Sequence, residues 1–155
     1  MPVIYHTYLH DSSGQPLSLQ HFAGGPLLVV NVASFCGLTP QYRNLQALFQ
    51  CYRPQGLNIL ACPCNQFGEQ EPCDSATAAR LARQFFGMTF PLTEKVQVNG
   101  PDRHPLYQQL IGDGDDIEWN FAKFLLDQRG RVVRRYAPTV SPTANQLIAD
   151  LQLLL

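Results

Sequence analysis

The spacing of hydrophobic positions changes several times along the chain, and each change marks an element. "PLLVVNVA" (26–33) holds a near-continuous leucine and β-branched run over 27–33, the pattern of a strand buried on both faces. The spacing then becomes helical: Tyr42, Leu45, Leu48, Phe49 and Tyr52, with Gly56 just beyond. Thr39 and Pro40 predict the start of that helix, a cap followed by a proline in the first turn. "LNILAC" (57–62) reads as a second buried strand, and "CPCNQFGEQEPC" (62–73) as loop. Ala78, Leu81, Ala82 and Phe85 mark another helix, which Asp74 or Ser75 can cap. Further on, "KVQV" (95–98) predicts a short strand before the "NGP" turn, and "HPLYQQLI" (104–111) a short helix. "FAKFLLD" and "RVVRRYA" around "QRG" predict a hairpin, and "SPTANQLIADLQLLL" (141–155) a closing helix begun by Ser-Pro. At the other end, "YHTYLHDSSGQPLSLQHF" (5–22) predicts a hairpin with "DSSGQP" as its turn.

Strands alternating with helices give an α/β domain, expected to be single over 1–155. Strand 27–33, helix 39–53 and strand 57–62 form a right-handed crossover. The late hairpin and terminal helix complete a central mixed β-sheet flanked by helices. With a cysteine, Cys36, at the first strand-to-helix turn, this order is that of a thioredoxin-like fold with an N-terminal β-hairpin.

Composition narrows the function. Hydrophobic residues make up 45% of the chain, enough for a real core, and the net charge of −1 gives no general attraction to nucleic acid or anionic membranes. The local exception is "RGRVVRR", with Arg129, Arg131, Arg134 and Arg135. On a hairpin these arginines cannot all share one face, and they are read either as flanking the site or as a solvated face. No apolar run approaches the ~20 residues of a membrane-spanning helix, so no stable membrane insertion is expected. The polar opening "MPVIYHTYLHDSSG" does not resemble a signal peptide, so a cytoplasmic location is expected. The five cysteines, at 36, 51, 62, 64 and 73, are an odd set that argues against a disulfide framework.

Cys36 stands out by position. A helix N-terminus presents free N–H groups and a positive dipole end, both of which favour a thiolate, the nucleophilic form of the side chain. Such a group can attack an electrophilic sulfur or a peroxide oxygen. The alternative is a small apolar side chain packed at a buried turn. The spacing Cys36-Gly37-Leu38-Thr39 puts threonine where a dithiol reductase has its second cysteine. A local dithiol cycle is thereby excluded, and the simplest oxidised product is a sulfenic acid, which peroxide reduction gives directly.

"NVASFCGLTPQY", "CPCNQFGEQEP", "VNGPDRHPLYQQL" and "WNFAKFLLD" resemble the signature blocks of glutathione peroxidases in their cysteine form, in order and spacing, from about residue 4 to the C-terminus. The resemblance implies a thioredoxin fold, a peroxidatic Cys36 and a supporting shell of Gln70, Trp119 and Asn120. It also implies a peroxide substrate, with glutathione or thioredoxin as reductant. No metal, haem or flavin is implied. The implied roles are chemically coherent: two amides and an indole are N–H donors, suited to a charge that moves from sulfur to a departing oxygen. Asn65 and Gln66 read as loop scaffolding.

The chain also departs from the family. Many cysteine-type members carry a resolving cysteine where Ala82 and Arg83 stand here. Cys73, three residues past Gln70, is then the internal resolver candidate, with an external thiol as the alternative. Cys62 and Cys64 flank Pro63 without a matching second pair, which argues against zinc, and Cys51 reads as packing or surface. Where tetrameric family members carry a longer insertion, this chain has only "IGDGDDIE", so the resemblance implies a monomer or weak dimer with an open site face. The leading reading is a thiol-dependent peroxidase. The competing readings are a peroxide sensor or relay, passing oxidation from Cys36 to a partner protein, and a non-catalytic thioredoxin-fold binding module.

Overall fold

The computed structural model describes residues 2–155. Strands β1 (Tyr8–His10) and β2 (Pro16–Ser18) form a small antiparallel hairpin. The Asp11 carboxylate closes its turn by accepting the N–H groups of Ser13 and Gln15 at 2.9 and 3.0 Å. The main sheet holds β3 (Leu27–Val32), β4 (Asn58–Pro63), β5 (Lys123–Leu126) and β6 (Val132–Tyr136) in the order β4-β3-β5-β6. β3 and β4 are parallel, while β5 runs antiparallel to both β3 and β6. The parallel pair is joined by helix α1 (Gln41–Tyr52), the crossover expected from the alternation of elements.

Every residue of β3 is buried, because both faces of the sheet are covered. Leu28, Val30 and Val32 pack toward α1, helix α2 (Ser75–Phe86) and the closing helix α4 (Asn145–Gln152). Leu27 and Val29 pack toward the β1–β2 hairpin and helix α3 (Pro105–Ile111). The alternation of a strand thus divides the core into two layers. Of the two candidate caps for α2, Asp74 acts, accepting the Thr77 N–H at 2.8 Å.

Three expectations about elements need correction. Residues 95–98 form no strand. Gln66 supplies the partner a neighbouring strand would have given: its Oε1 accepts the Val98 and Asn99 N–H groups at 2.7 and 3.1 Å. The closing helix starts at Asn145 rather than at Ser141-Pro142, because the Ser141 hydroxyl accepts the Thr143 N–H in a separate turn. The first crossover helix starts at Gln41, and Thr39 does not cap it.

Lys123 is fully buried although charged side chains rarely are. From β5 its Nζ donates to the carbonyls of Pro138 and Val140, fastening the turn before α4 to the sheet. Burial pushes its amine down to about 7. Between about pH 7 and its ordinary value of 10.5, the unfolded chain therefore binds more protons at this position than the native one. Stability contributed at this position then rises with pH across that window. Lys123→Met is expected to remove that rise. Urea unfolding from pH 6.5 to 10 checks this, read as the difference between variant and wild type.

Candidate active site

The site is built where β3 ends. After Val32 the chain leaves the sheet inside the core, and its backbone groups need new partners. Ser34 N–H donates to Glu71 Oε2 at 3.3 Å, and Phe35 N–H to the Gln70 carbonyl at 3.0 Å. Cys36 N–H donates to Thr39 Oγ1 at 2.9 Å, while the same hydroxyl donates to the Ala33 carbonyl at 2.8 Å. Thr39 therefore closes the cysteine turn instead of capping α1.

Cys36 itself is 9% exposed. Leu38 N–H points back at its sulfur, with N and Sγ 3.3 Å apart. The cysteine does not sit at the first turn of α1 as expected. A run of turns separates the two: Thr39 N–H bonds to the Cys36 carbonyl, Gln41 N–H to that of Leu38, and Tyr42 N–H to that of Thr39. The donor that reaches the sulfur belongs to that run.

Gln70 and Asn120 come together from loops fifty residues apart, Asn120 Nδ2 donating to Gln70 Oε1 at 3.0 Å. Because the Gln70 oxygen is taken, its NH₂ side is the one left to offer. Trp119, 37% exposed, lies on the same patch. Its ring packs against Phe67 with centroids 5.7 Å apart. Gly68, at φ +66°, is where both side chains approach the backbone. A Cβ there would stand 3.2 Å from Trp119 Cη2 and 3.3 Å from Gln70 Nε2. Only glycine combines that left-handed conformation with so little room.

Two devices aim Trp119 and Asn120. Asn31 in β3 donates from Nδ2 to the Trp119 carbonyl at 3.0 Å, and its own carbonyl accepts the Phe121 N–H at 2.6 Å. Phe121 has φ +69°, an unusual conformation for a bulky residue, and it turns the chain so that its ring enters the core edge-on to Tyr42. Such backbone strain, of about 1–3 kcal/mol, clusters at functional sites.

Asn31, Glu71, Gly68 and the clamp role of Thr39 were all missed from sequence. The usable signal was a polar residue inside "LLVVNV", since a buried polar group requires a partner. Glu71 is fully buried, and burial pushes its carboxyl upward. Asn65 and Gln66 brace the loop, Asn65 by accepting the Glu71 N–H at 3.0 Å.

The other cysteines differ in kind. Cys73 is a free, part-exposed thiol in the loop before α2, and Cys51 is exposed on α1. Cys62 is buried on β4 in the layer that also holds Tyr107, and burial pushes its thiol up to about 12. At the positions of the missing resolver, Ala82 is buried and Arg83 exposed. The arginines of the late hairpin are largely neutralised. Arg131 pairs with Asp127 at 3.1 Å, Arg134 with Asp150 at 3.5 Å and Arg135 with Glu118 at 2.6 Å.

A thioredoxin-like fold with a single motif cysteine, whose sulfur accepts a backbone N–H, suits a thiol peroxidase. Comparison with known proteins places it further. The family model described as glutathione peroxidase matches residues 4–111. Hydroperoxy fatty acid reductase gpx1 of Synechocystis is 44% identical, over 98% of this chain and 95% of its own. Hydroperoxy fatty acid reductase Gpx2 of the same organism is 47% identical, over 94% and 95%. The crystal structure of T. cruzi GPX1 superposes with a TM-score of 0.78 at 34% identity, over 97% of this chain and 95% of that one. The chain belongs to the glutathione peroxidase family and is a peroxidase oxidoreductase. Trp119 and Asn120 lie beyond the residues the family model matches.

Thr39→Val keeps the shape of the side chain but leaves the buried Cys36 N–H without an acceptor. It is expected to cost about 1–3 kcal/mol of stability and to slow oxidation of Cys36 by peroxide. Thr39→Ser keeps the hydroxyl and is expected to restore both. Denaturant unfolding and stopped-flow oxidation of the two variants check this.

Proposed function

We propose that Cys36 is the peroxidatic residue and that Gln70, Trp119 and Asn120 stabilise charge around it. The reading rests on one observation above the rest: the Cys36 sulfur already accepts the Leu38 N–H, in a turn bonded directly to the Gln70 backbone. The thiolate attacks the terminal oxygen of a hydroperoxide. An S–O bond forms as the O–O bond breaks, and the departing alkoxide takes a proton to leave as alcohol. Cys36 becomes a sulfenic acid. One thiol condenses with it to a mixed disulfide, releasing water. A second thiol attacks that disulfide, returning the Cys36 thiol and leaving the two reductant thiols as a disulfide.

The substrates are hydrogen peroxide and organic hydroperoxides, with fatty-acid hydroperoxides favoured by the activity that both Synechocystis relatives are named for. The reductant is an external thiol such as glutathione. Neither Ala82 nor Arg83 can resolve the sulfenic acid internally, and Cys73, a free part-exposed thiol, is the internal alternative.

Cys36→Ser is expected to abolish turnover while the fold survives, since the hydroxyl fits but forms no reactive anion near neutral pH. Gln70→Ala and Trp119→Phe are each expected to slow the peroxide step roughly ten- to a thousandfold, as losing one preorganised donor does elsewhere. The second half-reaction should change less. Stopped-flow rates of the peroxide step equal to wild type would remove these two residues from the mechanism. Cys73→Ser is expected to leave glutathione-dependent turnover intact; loss of turnover would instead make Cys73 the resolver.

A further inference from the structure

A groove of about 280 Å³ runs beside the cysteine turn, between α1 and α2. Phe35 and Thr39 line it from the turn, Arg43 from α1, and Leu81, Phe85 and Phe86 from α2. Its surface is mainly apolar, and Phe35 and Phe85 remain 60% and 62% exposed on it. Single exposed apolar side chains need no explanation, but two aromatics facing one groove give it a joined apolar wall open to a ligand. The apolar lining with few polar groups is that of a small-molecule site, with a volume just under the usual range of about 300–1,000 Å³.

Arg43 supplies the polar group. Its guanidinium lies 5.3 Å above the centre of the Phe86 ring. No carboxylate among the described residues pairs with it. A cation held at an apolar groove with no internal counter-ion is complementary to an amphiphile with one anionic end. Glutathione is a poor fit, with two carboxylates and two amides that would be desolvated against aromatic rings. A long acyl chain ending in a carboxylate fits both parts.

Thr39 connects the groove to the chemistry, because its hydroxyl holds the Cys36 N–H at 2.9 Å while the residue also lines the groove. We propose that this groove is the acyl-chain subsite of the peroxidase, binding a fatty-acid hydroperoxide along Phe35, Leu81 and Phe85 with its carboxylate on Arg43. The inference rests on Cys36 being the peroxidatic residue and adds where specificity for the substrate arises.

The test is the second-order rate of Cys36 oxidation with linoleic acid hydroperoxide, its methyl ester and hydrogen peroxide, all below micellar concentration. Phe85→Ser is expected to lower the ratio of the linoleic acid hydroperoxide rate to the hydrogen peroxide rate at least tenfold. Arg43→Gln is expected to lower that ratio for the free acid and to leave the ratio for the methyl ester within twofold of wild type. In the unsubstituted protein, stearate should slow oxidation by linoleic acid hydroperoxide competitively. A ratio within twofold of wild type in Phe85→Ser, or no competition by stearate, overturns the subsite while leaving the peroxidase reading in place. Failure of every peroxide to oxidise Cys36 in the wild-type protein overturns both.

Discussion

A threonine hydroxyl holds the geometry on which the site depends. Where β3 leaves the sheet, the Ala33 carbonyl and the Cys36 N–H are buried together, and Thr39 Oγ1 answers both, donating to one and accepting from the other. The remaining bonds follow in order along the chain. Ser34 N–H goes to Glu71, Phe35 N–H to Gln70, Cys36 N–H to Thr39, and Leu38 N–H to the cysteine sulfur. Two of those partners come from the 62–73 loop, so the same bonds that satisfy the turn also fix Gln70 against it. Buried backbone groups must be paired, and here their pairing assembles the site.

The surrounding chemistry is that of neutral donors. Amide, indole and backbone N–H groups hydrogen-bond to an anion without giving up a proton to it, which under the proposed function would serve sulfur before the reaction and oxygen after it. The buried Glu71 beside them has its carboxyl pushed upward by burial, which disfavours a second anion next to the cysteine turn. The hydroxyl-terminated Thr39 and the Asn120 to Gln70 bond are short-range and geometrically strict, which suits a site that must be preorganised rather than assembled around its substrate.

Much of this was legible in the sequence. The period changes locate the strands and helices of the sheet, because strands covered on both faces must be apolar throughout, as "LLVVNV" nearly is. The cysteine motif and the family blocks carry the chemistry. What sequence could not show depends on side chains replacing backbone. Gln66 stands in for a strand beside Val98, so "KVQV" has strand composition without a ladder. Thr39 has the composition of a helix cap, but the nearest unpaired N–H belongs to Cys36. The late arginines look like a basic patch until Asp127, Asp150 and Glu118, two of them distant in sequence, are brought against them.

If Cys36 is the peroxidatic residue as proposed, hydrogen-bond donors rather than solvent exposure select the reactive thiol. Cys51 is exposed and Cys73 partly so, whereas Cys36 is only 9% exposed. Oxidation by a single equivalent of hydrogen peroxide in the presence of dimedone, followed by peptide mass spectrometry, separates the two orders. Dimedone on the Cys36 peptide, ahead of Cys51 and Cys73, is the expected result. Labelling that follows exposure, with Cys51 modified first and Cys36 last, would contradict the account.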